Sequence, residues 1–107
     1  MDYKLGGTME FDIKSTKKNK IKIQKPKNFK VLMYNDDFTT MEFVVEILST
    51  IFNKSIEDAN KIMLEVHNKG IGIAGIYPYD IALTKLTVAM KMASESGFPF
   101  KLTVEEE

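Results

Sequence analysis

The 107-residue chain contains no cysteine, no tryptophan, one histidine and three prolines. Without cysteine it has no disulfide staples, no thiol nucleophile and no cysteine-based zinc site. The lone His67 is too little for a histidine-based metal centre, and no HExxH-like spacing surrounds it. No serine lies in a nucleophile elbow. No apolar run approaches the roughly 20 residues of a membrane-crossing helix, and no apolar h-region of the secretory kind appears in the chain's first residues. Surplus charge is lacking as well: Lys+Arg and Asp+Glu stand at 15 each. That balance argues for neither nucleic acid nor a membrane as partner. The expectation is a cytoplasmic protein without metal or cofactor.

What is present suffices for one small domain, since 44% of the residues are hydrophobic. The charges are unevenly divided. Residues 1–28 carry eight lysines against Asp2, Glu10 and Asp12, a net charge of +5, while residues 29–107 carry seven against twelve acids, a net charge of −5. The first part is also poor in large apolar residues around Lys17-Lys18-Asn19-Lys20. Such a stretch cannot bury enough surface to offset its chain entropy, so 1–28 is expected to be a flexible Lys-rich extension and 29–107 the folded core.

Within the core, Phe29–Asn35 reads as a strand broken by Asp36-Asp37-Phe38. Thr39-Thr40-Met41-Glu42 has the capping-box pattern, with Thr39 as N-cap, ahead of apolar residues at helical spacing from Phe43 to Phe52. Ser55 caps a second helix through Ala59, Ile62, Met63 and Val66, ended by Gly70. Gly70–Tyr77 alternates small and branched residues as a strand. Pro78 opens a third helix, stopped by Gly97, and Phe100–Val104 is the last strand. The order βααβαβ predicts an α+β fold, a three-stranded antiparallel sheet with three helices packed on one face. Phe29, Phe43, Ile47, Ile51, Ile62 and Leu86 are expected in its core.

The candidate chemistry lies in Asn35-Asp36-Asp37 and His67. Helical spacing places Met63, Val66 and His67 on one face, so the imidazole sits beside apolar surface. The plain alternative is a turn and a helix-end histidine favoured by the helix dipole. Gly70-Ile71-Gly72-Ile73-Ala74-Gly75 matches a GxGxxG string, but it follows a helix and opens none, which argues against nucleotide binding.

Taken in order, Val31–Val44, with Asn35-Asp36-Asp37-Phe38-Thr39-Thr40-Met41-Glu42 at its centre, resembles the opening signature of the ClpS family, bacterial N-end-rule adaptors of the Clp protease. Ala59–Gly70 resembles that family's second helix, and Gly75-Ile76-Tyr77 with Ala82, Thr84 and Lys85 its last helical unit. The resemblance implies an adaptor that binds N-degrons, a free α-amino group followed by a bulky first side chain of the Leu, Phe, Tyr or Trp kind. It then hands the substrate to a Clp AAA+ unfoldase, ClpA or ClpC, without catalysis. By the same resemblance Asn35, Asp37 and His67 would hold the amine and Asp36 the adjoining peptide backbone. Thr39, Met41, Val44, Met63, Val66 and Phe100 would line the side-chain pocket, and Tyr77, Asp80 and Lys85 would dock on the unfoldase. Two departures stand out. Pro78 replaces a helix-capping Thr or Ser, and Phe100 replaces a Leu at the pocket floor, which implies a shallower pocket favouring Leu over Trp. A monomer is expected, because no long exposed apolar stripe calls for a dimer. A small hydrolase built on Asp36, Asp37 and His67, and a regulator that docks on an unfoldase without binding degrons, are the competing readings.

Overall fold

In the computed structural model, which describes residues 27–107, Phe29, Val31 and Met33 point one way from strand β1 (Asn28–Tyr34) into the core. The remaining elements are α1 (Met41–Thr50), α2 (Ile56–Lys69), β2 (Ile71–Pro78), α3 (Tyr79–Glu95) and β3 (Lys101–Glu106). The order is βααβαβ, as expected. The strands form one antiparallel sheet in the order β2-β1-β3, so β1 is central. The expected extension over 1–28 lies outside the described residues except for Lys27 and Asn28, and Asn28 already belongs to β1.

All three helices contribute to one core against one face of the sheet. Val31 and Met33 from β1, Ile47 and Leu48 from α1, Ala59 from α2 and Ala82 and Ala89 from α3 have no exposed surface. Fully burying a side chain of the Val, Leu, Ile or Met kind contributes about 1.5–3 kcal/mol. Ala82, Ala89 and Ala93 are small, which lets α3 lie close on the sheet. Phe43 and Ile47 are buried as expected, while Phe29, Ile51, Ile62 and Leu86 are half-buried against the same cluster. The register of β1 on β2 slips between Val31 and Leu32, and Ala74 is the extra residue of this bulge. The other sheet face carries Leu32 and Tyr34 together with exposed Ile71, Ile73 and Ile76.

One cap differs from the expectation. Thr40, not Thr39, is the N-cap of α1: it has extended backbone angles, and its hydroxyl accepts the Phe43 N–H at 3.1 Å. Thr39 is engaged elsewhere, by Asp36, as described below. Ser55 caps α2 as expected, accepting the Asp58 N–H at 3.1 Å, and Gly70 closes that helix in the left-handed region at φ +87°. Pro78 occupies the N-cap position of α3 and makes no side-chain capping bond.

Candidate functional site

Two chain reversals meet at one end of the sheet. Gly70 takes the positive φ that lets α2 turn sharply into β2, and its N–H donates to the Val66 carbonyl at 2.8 Å. The Gly70 carbonyl in turn accepts the Asn35 N–H at 3.0 Å. That bond ties the end of β1 to the end of α2. His67 lies one helical turn before Gly70, so the Asn35–Asp37 segment is brought beside it.

Asp36 shapes the segment. Its Oδ1 accepts the N–H groups of Phe38 (2.8 Å) and Thr39 (2.7 Å), and its Oδ2 accepts the Thr39 hydroxyl at 2.7 Å. Slight burial pushes the Asp36 pKa up, but the bonds from Thr39 and Phe38 outweigh it and hold the carboxyl below its ordinary 3.8. A depressed folded pKa stabilises the loop above the ordinary value, and that stabilisation is lost as pH falls through the folded value. The order of this loop therefore persists through neutral and mildly acidic conditions.

The result is a cavity of about 270 Å³ lined by Asn35, Asp36, Asp37, Thr39, Met41, Val44, Met63, Val66 and His67. Asn35, Asp37 and His67 are exposed, whereas Val44 and Val66 are 8% and 3% exposed, so polar acceptors form the rim and branched apolar groups the interior. Met41, 43% exposed, and half-buried Met63 stand between this cavity and a second recess that they share with Glu42, Val45 and Asn60. Val45 and Asn60 carry no signal in the sequence, because nothing in helical spacing distinguishes them from an ordinary helix flank, and Glu42 stands out there only as a capping-box residue. Among the described residues no three His, Asp or Glu side chains gather as a cation-holding group.

Phe100 is not part of this lining. It is 4% exposed, stacks edge-on to Phe43 at a centroid distance of 6.0 Å, and borders a different recess with Met90, Ser94 and Phe98. Phe43 also meets Phe98 at 4.9 Å. The Phe100 ring is thus held in an aromatic cluster with Phe43.

Gly72 of β2 supports the cavity from behind. A Cβ at this position would meet Cγ2 of Val66 at 2.7 Å, closer than real contacts allow. Gly72→Ala is therefore expected to push Val66 toward the cavity, costing about 1–3 kcal/mol of stability through overpacking. Ligand affinity should fall with it. Chemical denaturation and a titration on the same sample check this, and unchanged stability and affinity would refute it.

Of the residues expected to dock on an unfoldase, two are occupied within the fold. The Lys85 ammonium donates to the Ile51 carbonyl at 2.6 Å and lies 5.2 Å from the centre of the Tyr77 ring. The Tyr77 hydroxyl donates to the Phe52 carbonyl at 3.3 Å, and burial pushes its pKa up. Together they satisfy carbonyls just past the end of α1, where a cation also suits the helix dipole. Asp80 is exposed in the first turn of α3 and accepts the Ile81 N–H at 3.0 Å.

Comparison with known proteins places the fold in a family. Residues 24–103 match the family model described as ATP-dependent Clp protease adaptor protein ClpS. The chain is 57% identical over 89 residues to the ClpS adapter protein of Clostridium acetobutylicum, covering 83% of this chain and 88% of the relative. It is 50% identical over 95 residues to that of Wolinella succinogenes, covering 89% and 93%. Among solved structures, ClpS2 of Agrobacterium tumefaciens bound to L-phenylalaninamide aligns with a TM-score of 0.74 at 36% identity, covering 78% of this chain and all of the other. With a family model spanning most of its length and relatives matched nearly end to end, the chain belongs to the ClpS family of ATP-dependent Clp protease adaptors.

Proposed function

We propose that this chain captures proteins by a free N-terminal amine followed by a bulky apolar first residue, and delivers them to the AAA+ unfoldase of a Clp protease, ClpA or ClpC, in the cytoplasm. The observation that carries this reading is the division of one cavity into an acceptor rim and an apolar interior. An ammonium needs acceptors, and the Asn35 amide oxygen, the Asp37 carboxylate and a neutral His67 nitrogen each supply one. The apolar interior takes the side chain, and burying a Leu or Phe there contributes about 1.5–3 kcal/mol. The flexible thioethers of Met41 and Met63 suit side chains of differing shape. Less the ordering cost of a peptide terminus, these terms correspond to affinity on the order of micromolar. L-Phenylalaninamide, bound by the Agrobacterium tumefaciens relative, carries both features, a primary amine and an aromatic side chain. Asp36 serves by shaping the loop, and its remaining lone pairs face the bound peptide backbone. Asp80 is the exposed member of the proposed docking region, with Tyr77 and Lys85 acting from beneath by fixing the end of α1.

The role is binding without catalysis. A fluorescently labelled Leu-started peptide titrated with the protein should show saturable anisotropy and be recovered intact by mass spectrometry. A new fragment would instead indicate a hydrolase, and no binding would remove the degron reading.

His67 is tested by substitution. His67→Ala removes one acceptor from the rim and should weaken binding of a free-amine peptide about 10-fold or more while leaving association with the unfoldase unchanged. Unchanged peptide affinity would exclude His67 as an acceptor.

A further inference from the structure

Strand β3 lies at the edge of the sheet, and among the described residues no strand pairs with its outer side. Glu107 donates its N–H to the Asn28 carbonyl at 3.0 Å, which fixes the alternation along the strand. Lys101, Thr103 and Glu105 turn their backbone groups toward β1, and Leu102, Val104 and Glu106 turn theirs outward. Such an edge is a template for another strand.

The side chains along it form a charge palindrome: Lys101-Leu102-Thr103-Val104-Glu105 reads positive, apolar, polar, apolar, negative. A second copy of β3, antiparallel about a two-fold axis at Thr103, sets each Lys101 against the other copy's Glu105. It also sets Leu102 against Val104, and Thr103 against itself. Backbone parity agrees, because the outward-facing Leu102 and Val104 then form the hydrogen-bonded pairs. A register shifted by two residues sets Thr103 opposite Glu105 or Lys101 instead.

Helix α3 adds an apolar margin on the same side. Leu83, Thr87, Met90 and Ser94 make one stripe at helical spacing, and Met90 and Ser94 border the recess that leads through Gly97–Lys101 into β3. Leu83 is 42% exposed and Met90 37%. In the pairing above, the two stripes face each other across the seam, and two three-stranded sheets become one of six.

We propose that the chain forms a two-fold dimer through β3 at high concentration, in place of the strict monomer expected from the sequence. The short strand and the further acids Glu106 and Glu107 keep the association weak. The degron cavity draws no residue from β3, so both cavities stay open and the pair can engage two N-termini at once.

Sedimentation equilibrium of the full chain from about 10 µM to about 1 mM tests this. The unmodified protein should move from the monomer mass toward twice that value. Lys101→Glu alone and Glu105→Lys alone should each stay monomeric, because each sets like charges opposite. Mixed in equal amounts they should form a heterodimer, since every cross-strand charge pair is then complementary. Val104→Pro removes an outward N–H without touching the β1 ladder and should also stay monomeric, with circular dichroism confirming its fold. A monomer throughout the range for the unmodified protein, or a dimer that survives these substitutions, would overturn the proposal.

Discussion

Acetylating the N-terminus of a Leu-started peptide is expected to weaken its binding to this chain by at least about 100-fold. The rim of Asn35, Asp37 and His67 offers an ammonium three kinds of acceptor, the Asn35 amide oxygen, the Asp37 carboxylate and a neutral imidazole nitrogen. Each charge-assisted hydrogen bond contributes about 1.5–3 kcal/mol, and loss of two corresponds to roughly two orders of magnitude or more in affinity. Acetylation removes the positive charge and leaves one donor. It also adds bulk at the position the ammonium would occupy. Replacing the first Leu by Gly removes only the side-chain burial, about 1.5–3 kcal/mol, and should leave weaker but measurable binding. Competition against a labelled free-amine peptide, read by anisotropy, measures both changes on one scale. Should the acetylated peptide compete within about 3-fold of the free one, the cavity reads the side chain alone and the rim is not an amine site.

Local rules point to Asn35-Asp36-Asp37 and to one face of α2, whereas Thr39, Met41 and Val44 enter the cavity reading only through the family resemblance. The chain break at Asp36-Asp37, the Ser55 cap and the Gly70 stop bound the elements, and spacing along α2 puts Met63, Val66 and His67 on one face. Local rules could not choose between adjacent threonines. Thr39 and Thr40 both precede an apolar helix, and the choice fell to Asp36, whose carboxylate engages the Thr39 hydroxyl and leaves Thr40 to cap. Contacts between distant segments were less legible still. Lys85 reaches the Ile51 carbonyl across 34 residues, and Phe100 joins Phe43 and Phe98 rather than the cavity. Neither follows from periodicity, since each depends on how α3 and the segment after it settle on α1. Family resemblance places Phe100 by its position in the chain, whereas its contact with Phe43 is legible only in the folded structure.

Packing also governs the other large effect. Ile47 is fully buried in α1, on the same stripe as the cavity residue Val44, and lies in the cluster that joins all three helices to the sheet. Ile47→Ala leaves a void that the surrounding side chains fill only in part, so the expected loss is about 2–5 kcal/mol. A domain of this size has a total stability of only about 4–12 kcal/mol, so the substitution removes at least about a sixth of it. For a domain of 60–100 residues each kcal/mol corresponds to about 4–8 °C in Tm, which makes a fall of about 8 °C or more the expected result. Ile76→Ala provides the contrast. Ile76 is 43% exposed on the outer sheet face, and its truncation leaves little void to fill. Urea unfolding of both variants, followed by circular dichroism, should show a much lower midpoint for Ile47→Ala with the slope unchanged and a small shift for Ile76→Ala. Equal shifts would mean that α1 is not anchored through Ile47, and the packing that holds Val44 at the cavity would need another source.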